Sequence, residues 1–348
     1  MTEKKPSDTI NKNRRHFVVT GAATFAATQL GLFSGKARAA GLVGAHAVPS
    51  EFTTLKQIDA GVLSISYVDI GPKSGIPVVL VHGWPYDIYS YAEVAQKLAT
   101  KGYRVIVPYL RGYGGTRFLS PDTVRNAQQS VFAVDTIALM DALGIKKAIL
   151  GGFDWGARTV NIMAALWPER CQAMVSVSGY LIGSQDGNAK PLPPRAELAW
   201  WYQFYFATER GRIGYQTNTT EFNKLIWQLA SPKWEFDEET FQRTAASFDN
   251  PDHVEIVIHN YRWRLGLAEG EAQYDALEEK LAKMPMITVP SITLEGAANG
   301  APHPDPKAYA GKFAGKYKHR TIGGAIGHNF PQEAPDEFAN AIIEVANW

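Results

Sequence analysis

Residues 147–167 read Lys147-Ala-Ile-Leu-Gly-Gly-Phe-Asp-Trp-Gly-Ala-Arg-Thr-Val-Asn-Ile-Met-Ala-Ala-Leu-Trp167. The first five residues are a short apolar run that suits a buried strand. From Arg158 the apolar residues recur with helical spacing. Between them stands Gly152-Phe153-Asp154-Trp155-Gly156, a G-x-D-x-G turn. A strand that turns sharply into a helix brings its elements into close contact. A side chain at 152 or 156 would collide there, so both positions are glycine. Such a turn lifts Asp154 above the sheet and places it at a helix N-terminus, where the macrodipole favours a carboxylate.

Working outward, the same alternation repeats. Ile76–His82, Tyr103–Val107, Lys147–Gly151 and Met174–Val177 read as buried strands. Tyr89–Lys101, Ser130–Leu143 and Arg158–Trp167 read as amphipathic helices. Continuous apolar strands alternating with helices predict an α/β fold with a mostly parallel sheet covered on both faces. From Gly183 the pattern changes. Residues 183–195 are rich in Gly, Pro and polar residues, and the stretch to Glu279 is helical and aromatic. Strand character returns at Ile287–Glu295 and His319–Gly323, and a helix closes the chain from Pro335. The expected organisation is a core of residues 50–182 and 280–348 with a helical cap, 183–279, inserted into it.

The chain has 348 residues, with 35 basic and 34 acidic side chains. A net charge of +1 argues against a polyanion partner. A single cysteine, Cys171, excludes a disulfide framework and a Cys-rich zinc site. Asn13-Arg14-Arg15-His16-Phe17-Val18-Val19, an Ala- and Gly-rich apolar stretch and Ala37-Arg38-Ala39 read as a twin-arginine export signal over residues 1–39. Its removal would take away seven basic and two acidic residues and leave a net charge of −4. The expected location is the periplasm or beyond, with the protein exported folded. No apolar run of the mature chain reaches membrane-spanning length.

The G-x-D-x-G turn resembles the nucleophile elbow of α/β hydrolases, with Asp where many members carry Ser. A carboxylate suits displacement at sp³ carbon, which leaves an alkyl ester on Asp154. Water must then attack the carbonyl of that ester, which requires a base and an oxyanion hole. His82-Gly83-Trp84-Pro85 follows the first strong strand and can offer the Trp84 N–H. The Trp155 N–H is the second donor, and Pro85 fixes the loop, where a cis peptide could precede it. His82 reads as structural. His328, in Gly327-His328-Asn329-Phe330, lies late in the chain where the base belongs; His303 sits among prolines and reads as a surface residue. The triad acid is expected in a G-x-x-D pattern after Ile287–Glu295. The residues there are Gly296-Ala297-Ala298-Asn299, so Asn299 holds the acid's position. Asn can accept from the imidazole but brings no charge. Asp305 and Asp186 are the other carboxylates that could serve.

Taken together, residues 55–345 resemble the epoxide-hydrolase branch of the α/β-hydrolase superfamily. His82-Gly83-Trp84-Pro85, Leu110-Arg111-Gly112-Tyr113-Gly114, Phe153-Asp154-Trp155-Gly156 and Trp167-Pro168-Glu169-Arg170 carry the resemblance. It implies two cap tyrosines that protonate the epoxide oxygen. A phenol with pKa near ~10 can donate to an alkoxide at neutral pH. Trp201-Tyr202-Gln203-Phe204-Tyr205-Phe206 would carry the first at Tyr202, with Tyr205 as its rival. Asn260-Tyr261-Arg262 would carry the second at Tyr261. The implied substrate is a small apolar epoxide, and no metal or organic cofactor is implied. Haloalkane dehalogenases share the Asp nucleophile. Haloacetate dehalogenases add an arginine clamp, for which Arg111 and Arg158 are available; the sequence places Arg111 at a turn and Arg158 packed on its helix. A pocket that has lost turnover and only binds ligand is the third possibility, and Asn299 is the residue that favours it.

Overall fold

A computed structural model describes residues 48–348. The expected export signal lies outside the described residues. The sheet contains β1 (Lys56–Ala60), β2 (Leu63–Ile70), β3 (Pro77–Val81), β4 (Arg104–Pro108), β5 (Arg117–Phe118), β6 (Ala148–Gly152), β7 (Cys171–Val177), β8 (Ser291–Gly296) and β9 (Tyr317–Ile322). Its order is β1-β2-β4-β3-β6-β7-β8-β9, with β5 paired to β2. From β4 to β9 all pairings are parallel, whereas β1, β4 and β5 each run antiparallel to β2. The expected α/β fold is therefore present, with an antiparallel edge that the apolar runs do not announce. The outward residues of β1 are polar and exposed, so this edge lacks the continuous apolar signature of a strand buried on both faces.

Helices cover both faces. Gly151 and Gly152 are consecutive on β6 and so point to opposite sides. A Cβ at 151 would meet Phe338 of the C-terminal helix Pro335–Ala346, and one at 152 would meet the backbone of Gly156. The C-terminal helix packs with α1 (Ala92–Thr100) on the first side. On the other side α2 (Gln129–Ala142) packs with α3 (Trp155–Leu166). The central strands β3 and β6 are almost wholly buried.

Between β7 and β8 the chain forms eight α-helices, from Gln185–Asn188 to Asp275–Ala282. Hydrogen bonds tie this insertion to the loops that leave the sheet. The Trp227 indole donates to the Pro85 carbonyl at 2.8 Å. His253 Nδ1 lies 3.0 Å from the Gly112 carbonyl. Trp84 Nε1 donates to the Tyr215 hydroxyl at 2.9 Å. Tyr215 in turn meets Asn223 Oδ1 at 3.0 Å and His253 Nε2 at 2.9 Å. None of the helices among the described residues is long and apolar enough to cross a membrane.

Candidate active site

Asp154 lies two residues past β6 and caps α3 with φ of 53°. A non-glycine residue takes this left-handed conformation only where its surroundings enforce it. The helix begins at Trp155, three residues earlier than its apolar periodicity announces, because Asp154 caps it. The tight crossing is enforced by its glycines. A Cβ on Gly156 would come within 1.8 Å of the Val81 carbonyl oxygen. One on Gly83 would lie 2.4 Å from both Cβ and Oδ1 of Asp154.

The two oxygens of Asp154 have different surroundings. Oδ1 accepts from the Trp84 N–H at 2.8 Å and from the Trp155 N–H at 2.7 Å. Oδ2 faces His328, whose Nε2 lies 3.2 Å away. The two amides named from the sequence thus converge on one atom, and the imidazole addresses the other. The Trp84–Pro85 peptide is cis.

His82 lies outside this group. Its Nε2 accepts from the Leu110 N–H at 3.2 Å, so Nδ1 carries the proton and donates to the Gly83 carbonyl at 3.1 Å. Burial pushes its pKa down to about 4, and it holds the loop as a neutral ring. His303 is exposed and bonds the Ala301 carbonyl.

His328 rests on a loop fixed by residues that the sequence did not single out. Its N–H donates to Ser231 Oγ at 2.9 Å. Glu333 accepts from Ser231 Oγ at 2.6 Å, from the Gly327 N–H at 2.6 Å and from the Asn329 N–H at 3.0 Å. Burial raises the Glu333 pKa, and these hydrogen bonds oppose the rise.

The acid side of the expected triad is corrected. Asn299 does not bond the imidazole. Its Nδ2 donates to Glu295 Oε1 at 2.7 Å, and its Oδ1 accepts from the Ala301 N–H at 2.9 Å. Asp305 is spent capping the turn Pro306–Tyr309 through the Lys307 N–H. Asp186 is exposed in the first turn of Gln185–Asn188. Among the described residues, the buried His328 Nδ1 has no hydrogen-bond partner. The carboxylate beside Asn299 is Glu295, buried near the end of β8. Its signal was a lone charge inside the apolar strand Ser291–Gly296.

Tyr202 and Tyr261 line the same small cavity as Asp154, His328, Trp84 and Trp155, with a volume of about 80 Å³. Their rings are 5.3 Å apart, and each lies over Trp84, at 5.2 and 5.3 Å. Burial, reinforced by the charge of Asp154, raises the Tyr202 hydroxyl; Arg264 and Arg158 pull it back. Tyr261 is also raised, by burial first and then by Tyr202 and Asp154. Tyr205 is not in this cavity; it stacks on Phe222, with ring planes 9° apart.

The arginines also separate. Arg111 is buried in a two-pronged pair with Asp135, both bonds 2.7 Å, and donates to the Asn126 carbonyl. It is a structural bracket away from the cavity. Arg158 is not packed on its helix as expected. It lines the cavity beside Asp154, with its Nε donating to the Leu181 carbonyl at 3.0 Å.

Comparison with known proteins agrees with this fold. A family description of the α/β hydrolase fold matches residues 76–211. Epoxide hydrolase A of Mycobacterium tuberculosis is 30% identical over 318 residues, spanning 84% of this chain and 96% of that protein. Epoxide hydrolase B of the same organism is 36% identical over 154 residues. That match spans 40% of this chain and 42% of the relative, less than half of its length. A crystal structure from Klebsiella pneumoniae, provisionally assigned as an epoxide hydrolase, is 62% identical with a TM-score of 0.85. It covers 86% of this chain and 99% of that one. Fold and kinship agree: the chain belongs to the α/β-hydrolase family and is an enzyme of its epoxide-hydrolase-like type.

Proposed function

We propose that the exported, mature chain hydrolyses small epoxides to vicinal diols in two steps. The observation that carries this reading is the division of labour within Asp154. Oδ1 is held by two amides, and Oδ2, which no amide holds and which faces the His328 imidazole, is the oxygen that attacks. Oδ2 forms a bond to an epoxide carbon as the ring C–O bond breaks. The oxygen released takes a proton from Tyr202 or Tyr261, which turns a poor leaving group into a hydroxyl. His328 then removes a proton from water, and the water oxygen attacks Cγ of Asp154. The negative charge develops on Oδ1, the atom already facing the Trp84 and Trp155 amides. Collapse breaks the Cγ–Oδ2 bond, the departing diol oxygen takes the remaining proton of the attacking water, and the proton held by His328 passes to the tyrosinate, which restores carboxylate, imidazole and phenol together. The helical insertion acts as a cap that carries the tyrosines and excludes bulk water.

A second reading is dehalogenation of a haloalkane or haloacid through the same nucleophile. The buried Trp155 Nε1–H, which has no partner among the described residues, favours it as a halide donor. Against it, the Trp84 indole N–H is engaged by Tyr215. A ligand-binding role without turnover is favoured by the unpartnered His328 Nδ1.

Intact-protein mass spectrometry after exposure to panels of epoxides and alkyl halides separates the three. An adduct with the mass of a whole epoxide, absent from Asp154→Ala, is the expected result. An adduct of the alkyl group without halogen would transfer the assignment to dehalogenase. No adduct, with no diol or halide released, would leave the binding role.

A further inference from the structure

A larger cavity of about 810 Å³ adjoins the active-site cavity at Arg158, Trp200 and Arg264. These three residues line both. The outer cavity is walled largely by apolar groups such as Leu192 and Phe204 of the insertion. Where the cavities meet, the two arginines are the conspicuous charges.

Neither guanidinium has an acidic partner. Among the described residues, no carboxylate lies within salt-bridge distance of Arg158 or Arg264; Arg117, Arg195 and Arg210 also have none but are exposed, and Arg104, Arg111, Arg125, Arg170, Arg212, Arg243, Arg262 and Arg320 all have one. The Arg158 side chain is fixed by a single bond, from Nε to the Leu181 carbonyl. That leaves its terminal nitrogens free. Arg264 lies over the rings of Trp200 and Tyr261, at 5.3 and 5.6 Å. Those contacts orient a guanidinium without neutralising it. Burial, and then the charge of Arg264, push the Arg158 pKa down to about 10. The fold therefore holds two like charges together, both half-buried. Buried charge is normally paired with a counter-charge, and this pair faces the path a substrate takes.

We infer that Arg158 and Arg264 form an anion subsite that receives a carboxylate on the end of the substrate remote from the epoxide. The planar forks of arginine match a carboxylate in shape as well as charge. The preferred substrate is then an epoxide with an apolar body and one carboxylate. The reactive end of this assignment rests on the proposed function; the anionic end rests on the arginines alone.

The test compares 4-(oxiran-2-yl)benzoate, whose carboxylate lies across the ring from the epoxide, with 4-methylstyrene oxide, which carries methyl in place of the carboxylate. The parent enzyme is expected to favour the carboxylated epoxide in kcat/KM. In Arg264→Gln that preference falls on the order of 10- to 100-fold, chiefly through KM, as for loss of a charge-assisted hydrogen bond; Arg264→Lys keeps part of it. An equal drop on both epoxides would overturn the proposal, because the arginine would then serve only to tune the tyrosines. Calorimetric titration with phenylacetate against 2-phenylacetamide needs no turnover. Phenylacetate binding that is lost in Arg264→Gln and in Arg158→Gln, with melting temperatures preserved, upholds the subsite even where neither epoxide reacts. No difference between acid and amide would overturn it.

Discussion

Asn299 is the residue where expectation and geometry part most clearly. It stands at the acid's place after β8, yet its amide is turned to Glu295 and away from the imidazole. An aspartate there would set two carboxylates in contact at a buried site, and like charges so placed cannot both ionise cheaply. Asn299→Asp is therefore expected to destabilise the protein by about 2 kcal/mol, the scale of a buried polar group deprived of its partner. Adding Glu295→Gln supplies a donor to the new carboxylate and should recover most of that loss. A double-mutant cycle read by urea unfolding checks it: the two changes must couple by more than about 1 kcal/mol. The contrast shows what single residues disclose. Asp154, Trp84 and His328 were legible because local motifs place them. Ser231 was not, because its role arises across the fold; it meets His328 from 97 positions away. Glu295 left only the trace of a lone charge in an apolar strand.

Secondary-structure elements were legible to the extent that burial was symmetric. The parallel strands β3, β4, β6 and β7 are apolar on both faces and announce themselves. The β1–β2 hairpin has a wet side and was missed. The turn Ile88–Tyr91, just before α1, shows how a polar residue joins elements. Asp87 caps it through the Tyr89 N–H at 3.0 Å and accepts from Thr244 Oγ of the insertion at 2.9 Å. Burial pushes the Asp87 carboxyl up to about 7. The folded chain thus retains a proton between about pH 4 and pH 7 that the unfolded chain has released. Folding gains from that proton fully below the unfolded value, and the gain is lost as pH rises through 7. Asp87→Asn keeps an acceptor for both donors and has no proton to lose. Its melting temperature should exceed the parent's at pH 8, with the gap closing toward pH 4. A gap independent of pH would show that Asp87 is already ionised at low pH.

At the scale of the molecule, the insertion and the sheet meet through a few buried polar contacts set among aromatic rings. Tyr215 is the hub, bonded at one oxygen to Trp84, Asn223 and His253. Removing that oxygen strands an indole N–H and an imidazole nitrogen away from water. Tyr215→Phe is expected to cost about 2 kcal/mol. At about 2–4 °C per kcal/mol for a chain approaching this size, the melting temperature falls by roughly 4–8 °C. Differential scanning calorimetry measures it, and a change below a degree would show that the hub is redundant. Composition and patterning revealed the insertion as a helical, aromatic interval. They could not reveal the hub, because its three partners come from separate parts of the chain.

The grip of two amides on Asp154 Oδ1 has a consequence for where each product's oxygen comes from. Under the proposed reaction, Oδ1 stays in its cradle through every cycle while its neighbour leaves with the diol. The oxygen taken from water fills the vacated position and becomes the next attacking atom. Each diol therefore carries an oxygen acquired one cycle earlier, and the enzyme lends its product an atom inherited from the previous one.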